Sequence, residues 1–408
     1  MRIFSNDVME VLINKGLREF RSDGCFDYNE ALAAKKSHES LEAYQKTPLV
    51  HLDGLAKKLQ ISNIMVKDES KRFSLNAFKG LGGSYAMFRI ICEVLGLDYQ
   101  TAQLKDLLQD KFKATLQAIE FVTATDGNHG KGVSWAAGIF GCKAHVYMPA
   151  GSQEVRAEAI RNAGPADVEI TKFNYDDTVR FAKSQSEANG WYLIQDTAWD
   201  GYEKIPTWII QGYLTMILET VEELGTKKNK TNPWFFLQAG VGAMAGGVVG
   251  FLSDYYKTDK PIIVIVEPQV ADCIYRSKLI DDGAMHSIEG SPFTIMAGLN
   301  CGTPCKVTWG ELSNLPDFYV SCADSVAACG MRTYHKPLSG DAQIISGESG
   351  AVTMGVVKTI LADERYKSLK ESMQLNSDSK ILLINTEGDT DPENYEAIIS
   401  GKLFKENC

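Results

Sequence analysis

No CxxC pair occurs in the sequence, although nine cysteines are scattered at positions 25, 92, 142, 273, 301, 305, 322, 329 and 408. With an odd number and no CxxC pair, neither a zinc site nor a secreted disulfide framework is expected, and reduced thiols in a cytoplasmic protein are the default. A fold could still bring Cys273 to Cys301 or Cys305. With only six histidines, no metal centre is expected. Positive charge is short as well: 42 Lys and Arg against 52 Asp and Glu leave a net charge of −10. That balance argues against nucleic acid as a partner. The longest basic cluster, Lys227-Lys228-Asn229-Lys230, reads as a solvated loop. Long unbroken apolar runs are also missing. The most apolar stretch, residues 234–252, is rich in glycine and ends in Ser253-Asp254, which suits a strand, a turn and a helix rather than a membrane span. The first residues, Met1-Arg2-Ile3-Phe4-Ser5-Asn6-Asp7, lack the apolar core of a signal peptide.

What is present is an ordinary globular composition, 408 residues with 44% hydrophobic and 23% charged, enough for two or three domains. Residues 1–45 read as a polar, helical packing arm. Beyond them strands and helices alternate. Strands are expected at 63–67, 120–124, 144–148, 167–172, 191–194, 234–237, 261–266 and 380–386. Helices are expected at 84–94, 104–119, 131–140, 154–163, 175–189, 205–223 and 349–363. Residues 270–345 read as loop-rich. Such alternation is the signature of α/β architecture with parallel sheets. We place a small domain at 88–200 and a large one in 1–87 with 201–408.

Three loops carry candidate chemistry. In Asn76-Ala77-Phe78-Lys79-Gly80-Leu81-Gly82-Gly83, a lysine stands between an aromatic ring and three glycines. Phe78 can desolvate the amine and lower its pKa, and the glycines could let a flat ligand lie against the backbone, which suits an amine that reacts with an aldehyde. In Gly240-Val241-Gly242-Ala243-Met244-Ala245-Gly246-Gly247, a strand enters a glycine turn that opens a helix, a ready anion site for a phosphate. The spacing Gly240-x-Gly242-x-x-Ala245, followed by Glu267 at the next strand end, also fits a nicotinamide-dinucleotide fingerprint. Its position argues against that reading, because a whole α/β unit precedes it. That unit has its own loop, Thr125-Asp126-Gly127-Asn128-His129-Gly130. There Thr125 and backbone N–H groups could hold a carboxylate and Asn128 a phenolic oxygen. Asp126 could instead cap a helix. His129 reads as a packing histidine.

The motifs Thr47-Pro48-Leu49, Val66-Lys67-Asp68-Glu69, Phe78-Lys79, Gly127-Asn128-His129-Gly130 and the 240–244 loop occur in one order. In this the chain resembles the fold-type II pyridoxal-phosphate enzymes, the superfamily of tryptophan synthase β-subunits and threonine dehydratases. Within it the chain is most similar to ammonia-lyases acting on 2,3-diaminopropionate. The residues that carry this are Asn76-Ala77-Phe78-Lys79-Gly80, the 124–130 loop, Gln195-Asp196-Thr197-Ala198-Trp199-Asp200-Gly201-Tyr202, Ile295-Met296-Ala297-Gly298-Leu299 and Asn385-Thr386-Glu387-Gly388-Asp389. Serine and threonine dehydratases usually have a small or hydroxyl residue where Asp126 stands, and Ser where Ala77 stands. The resemblance implies two open, twisted, mainly parallel sheets flanked by helices, and a homodimer. It implies pyridoxal phosphate anchored on Lys79, its phosphate on Gly240, Val241, Gly242, Ala243 and Met244, its ring hydroxyl at Asn128 and its pyridine nitrogen at Thr386. Lys79, Asp126 and Asp196 would be catalytic, Lys79 and Asp126 as opposed bases and the two carboxylates favouring a protonated leaving nitrogen. Thr125, Asp126 and Asp196 would bind the amino-acid substrate, and a monovalent cation near Glu348 is left open.

Overall fold

The computed structural model describes residues 1–14, 24–225, 233–288, 290 and 293–405; the basic cluster at 227–230 lies outside them. The chain divides into two compact units. One comprises Met1–Gly24, Thr47–Lys71 and Glu219–Cys408, the other Cys25–Lys46 and Arg72–Leu218.

The first unit is built on an eight-stranded sheet. Its strand order is Arg2–Ser5, Met9–Ile13, Phe318–Cys322, Ile263–Pro268, Trp234–Gln238, Lys380–Asn385, Asn63–Asp68 and Leu49–His51. The five strands from Phe318–Cys322 to Asn63–Asp68 run parallel, and antiparallel strands close both edges. Ile263–Pro268 and Trp234–Gln238 are buried along their whole length, as the central strands of a sheet covered on both faces must be. One core joins Val66, Phe236, Val264, Val320 and Leu383 to Val326, Val352 and Val357. The last three lie on helices Asp324–His335 and Glu348–Ala362. Gly330 and Gly355 let those helices touch, since a Cβ there would come 2.0 Å from Ala351 O and 1.9 Å from Val326 O.

The N-terminal segment departs from the expected helical arm. Arg2–Ser5 and Met9–Ile13 are strands, and helix is confined to Tyr28–Glu39 within residues 24–45. Met9 and Val11 are buried with Glu10 between them partly exposed, and the antiparallel edge beside Phe318–Cys322 decides the conformation. Residues 270–345, expected to be loop-rich, also contain helices Cys273–Ile280, Trp309–Asn314 and Asp324–His335 and the strand Phe318–Cys322.

The second unit holds a four-stranded, all-parallel sheet ordered Ala166–Ile170, Lys143–Met148, Glu120–Ala124, Tyr192–Leu193. Its helices include Lys79–Leu95, Asn128–Phe140, Glu154–Ala163 and Tyr175–Asn189. The helix expected over 104–119 is broken into Leu104–Leu107, a 3-10 turn at Asp110–Phe112 and Lys113–Gln117. Compactness places residues 72–87 and 201–218 in this unit, whereas the sequence suggested boundaries at 87/88 and 200/201. The reason is close packing: a Cβ on Gly132 would lie 3.0 Å from the backbone of Gly80, so Lys79–Leu95 belongs with Asn128–Phe140.

Candidate active site

Lys79 is the first residue of its helix, and the chain reaches it through a strained turn. Phe73, Ser74 and Asn76 have φ of 52°, 58° and 60°, a left-handed conformation that costs energy for phenylalanine and serine. The turn is held by Phe73 stacked on Trp135, with ring centroids 4.4 Å apart, and by Lys131 Nζ donating to Leu75 O at 3.1 Å. The following glycines serve packing within the protein. A Cβ on Gly80 would come 2.7 Å from Leu75 and one on Gly82 2.5 Å from the Tyr213 ring. This overrides glycine's poor helix propensity, and the helix starts at Lys79 rather than at residue 84.

The Lys79 amine stands 5.4 Å from the Phe78 ring centroid and 5.8 Å from that of Tyr213. Its Nζ donates to Asp196 Oδ2 at 2.6 Å, and the two side chains are 24% and 14% exposed. Burial pushes the Asp196 carboxyl up. The charge of Lys79 and hydrogen bonds from Lys79 and the backbone outweigh burial, and hold it well below the usual carboxylate range. Asp196 therefore stays ionised across the physiological range. The segment before it is tied down on all sides. Ile194 N donates to Val122 O at 2.8 Å, and Tyr202 Oη donates to Leu193 O at 2.8 Å while accepting from Gln195 N at 2.9 Å. Gln195 Oε1 accepts from Ala124 N at 3.1 Å. Gln195 and Tyr202 were visible beforehand only as part of a family motif, because their role rests on contacts between distant residues.

The loop between Glu120–Ala124 and Asn128–Phe140 turns at Gly127, whose φ of 153° side chains rarely adopt. Thr125 Oγ1 accepts from Gly127 N and Gly130 N, both at 3.0 Å, so Thr125 supplies the helix cap that Asp126 could have made. Asp126 is left exposed. Surrounding protein raises its carboxyl, opposed by Arg156 and Lys79 and reinforced by Asp196, while water screens the shift. Asn128 opens the helix, half-buried. His129 is fully inside, its Nε2 2.7 Å from Ile194 O.

In the other unit, Trp234–Gln238 leads into the helix Ala243–Tyr256 through Gly242, at φ 86°. Gly246 N donates to Gly242 O at 2.8 Å, so the N–H groups of Gly242, Ala243 and Met244 precede the helical ladder. Gly240 is pressed against Leu299 and Gly242 against Leu312, where a Cβ would come within 3.0 Å and 2.4 Å. Val241 O accepts from Cys305 N at 2.6 Å. The loop is thus fixed with backbone donors at the positive end of a helix dipole. At the end of strand Lys380–Asn385, buried Thr386 accepts from Gln238 Nε2 at 3.1 Å, which leaves its hydroxyl proton to donate. Donors at the helix start and a hydroxyl donor at a strand end fit a phosphate and a neutral pyridine nitrogen.

Glu267 overturns the dinucleotide alternative. It is fully buried, and its two oxygens accept from Ile274 N at 2.9 Å and Tyr275 N at 2.6 Å. It caps the helix Cys273–Ile280 and, shielded from solvent, presents no carboxylate to a ribose. Burial raises it well above the usual carboxylate range against those two hydrogen bonds. Cys273 is a buried free thiol, so its pairing with Cys301 does not form.

The model of the family "pyridoxal-phosphate dependent enzyme" matches residues 41–386. Diaminopropionate ammonia-lyase of Escherichia coli K12 is 46% identical over 374 residues, covering 92% of each chain. That of Salmonella typhimurium LT2 is 45% identical over 363 residues, 89% of this chain and 90% of the relative. The chain belongs to the pyridoxal-phosphate dependent enzymes. The crystal structure of the Escherichia coli diaminopropionate ammonia-lyase in complex with D-serine superposes with a TM-score of 0.87 at 44% identity, covering 97% of this chain and 98% of that one. The same enzyme with an aminoacrylate–PLP azomethine reaction intermediate superposes at 0.86. The fold is therefore that of the fold-type II enzymes of this family, and the cofactor is pyridoxal phosphate. Among the described residues, no helix is long and apolar enough to cross a membrane.

Proposed function

We propose that the chain catalyses α,β-elimination of the β-amino group of 2,3-diaminopropionate, D and L, and that the remaining enamine is hydrolysed with one water to pyruvate, so that two ammonia are released. The observation that carries this is the Lys79–Asp196 ion pair, with Asp126 close enough to feel both charges. Pyridoxal phosphate, when bound, supplies the electron-withdrawing ring that weakens the Cα–H bond. Lys79 would anchor it, the N–H groups of Gly240, Val241, Gly242, Ala243 and Met244 would hold its phosphate, and Asn128 and Thr386 its ring hydroxyl and nitrogen. A threonine hydroxyl donates a hydrogen bond without forcing a charge on that nitrogen, which suits elimination, where the leaving group takes the electrons.

The β-nitrogen must be protonated to depart as neutral ammonia. Asp196 is an ionised carboxylate that favours such an ammonium, and Asp126 adds a second. An amine at Lys79 and a carboxylate at Asp126 are two groups able to take a Cα proton, so each enantiomer could have its own base. Thr125 would hold the substrate carboxylate. In the cell we place the enzyme in the cytoplasm as a homodimer serving amino-acid catabolism, consistent with cysteine usage and the family resemblance.

Ammonia release from D- and L-2,3-diaminopropionate, D- and L-serine and L-threonine tests the reading. The diamino acids should be turned over fastest, and Lys79→Ala should abolish turnover. Preference for threonine, or full activity in Lys79→Ala, would contradict it.

A further inference from the structure

His129 is more than a packing histidine. Only an N–H can face a carbonyl, so the 2.7 Å contact with Ile194 O puts the proton of the neutral imidazole on Nε2. The other ring nitrogen, Nδ1, is then a bare lone pair. It is buried, makes no hydrogen bond among the described residues, and lies 3.8 Å from Asp196 Oδ2. A lone pair facing a carboxylate is a poor arrangement, and buried polar atoms are rarely left unsatisfied. With a proton on Nδ1 the same geometry is a charge-assisted pair. On its other side Asp196 accepts from the Lys79 ammonium.

Lys79 must lose a proton before its amine can react or serve as a base. Releasing its charge alone would strand Asp196 as a buried carboxylate without a cation, which is costly. We propose that His129 Nδ1 accepts the proton Lys79 loses, with Asp196 as the go-between, so that the trio passes one proton from Nζ to Nδ1 without changing its net charge. This rests on the reading of Lys79 as the reacting amine. One N–H bond breaks at Nζ and one forms at Nδ1. Before transfer the charges are Lys79 positive, Asp196 negative and His129 neutral; afterwards Lys79 is neutral and His129 positive. His129 is a positioning and proton-holding residue that touches Asp196, not the substrate.

The charges around it fit the exchange. Burial lowers the His129 pKa, Asp196 raises it, and the Lys79 charge lowers it, so the imidazole is neutral while Lys79 is charged. When the Lys79 charge leaves, one of the lowering influences goes with it and Asp196 remains. Asp126 acts on Asp196 and Lys79, and Arg156 on Asp126. The handover is thus triggered by the loss of charge on Lys79 itself.

The direct test is NMR titration of the imidazoles in the full-length chain freed of cofactor. The chain has six histidines, so single replacement of the other five identifies His129 by elimination. In wild type His129 should titrate below the ordinary value. In Lys79→Met it should titrate at least about one pH unit higher, a tenfold change in proton affinity, and in Asp196→Asn lower than in wild type. An unchanged titration in Lys79→Met would overturn the proposal. In the holoenzyme, His129→Gln keeps an N–H for Ile194 O but removes the acceptor. The acid limb of its kcat/KM profile should move to higher pH, and an unmoved profile would count equally against the proposal. If that variant does not fold, the Lys79→Met titration decides alone. A chain that shows the coupled titration but releases no ammonia would fail the functional reading, not this one.

Discussion

Asp126 and Lys79 differ in kind as bases, and that difference gives the sharpest test at the level of single residues. Asp126 is exposed and is not engaged as the helix cap, because Thr125 makes those hydrogen bonds. Asp126→Asn should leave the fold intact and lower kcat for D-2,3-diaminopropionate by about 10²-fold or more, the range of a lost general base. The L isomer should keep most of its rate. Steady-state kinetics on both isomers read this directly, and equal losses would count against opposed bases. Most of the named residues were legible in the sequence because loop chemistry is local: a lysine before glycines, a glycine turn opening a helix. Glu267 shows the limit of such local reading. Its position relative to the glycine loop suited a ribose, but its oxygens are taken by two backbone N–H groups contributed by a later helix.

Among elements, the family motifs around Thr47 and Lys67 turn out to be one buried polar cluster. Lys67 Nζ donates to Thr47 O at 2.8 Å and Glu219 Oε2 at 2.5 Å, and Thr47 Oγ1 donates to Glu69 Oε1 at 2.6 Å. Lys67 and Glu219 are fully buried. Lys67→Met should cost about 3–5 kcal/mol, because it removes one member of a buried ion pair, and Lys67→Met with Glu219→Leu should recover much of the loss. Urea unfolding of both variants checks this. Apolar periodicity in the sequence revealed the long central elements, such as Trp234–Gln238 followed by Ala243–Tyr256. It missed Arg2–Ser5, Met9–Ile13 and Phe318–Cys322, short strands whose conformation depends on partners far along the chain. It also set the start of the Lys79 helix too late, since tertiary packing, not propensity, makes Gly80, Gly82 and Gly83 helical.

For the whole molecule, Glu348 is a clear contributor to the pH dependence of stability. Glu348 is buried; burial and the nearby Glu387 push its carboxyl from the ordinary 4.5 up to about 7, against a hydrogen bond from Asn394. A carboxyl raised in the folded state binds its proton more tightly there than in the unfolded chain. Its stabilising contribution is complete below about pH 4.5 and is lost as pH rises through about 7, on the order of 3 kcal/mol. Glu348→Gln keeps an acceptor for Asn394 and removes the titration. It should flatten the stability profile between about pH 5 and 8 and exceed wild type at the alkaline end, as measured by urea unfolding across pH; an unchanged slope would assign the pH dependence elsewhere.

The proposed reaction releases both nitrogens of the substrate, one by β-elimination and one by hydrolysis of the enamine that remains. The ratio of ammonia to pyruvate released from 2,3-diaminopropionate by the purified holoenzyme tests it most directly. The expected result is two ammonia per pyruvate from either enantiomer. One ammonia per pyruvate, or ammonia without pyruvate, would contradict it.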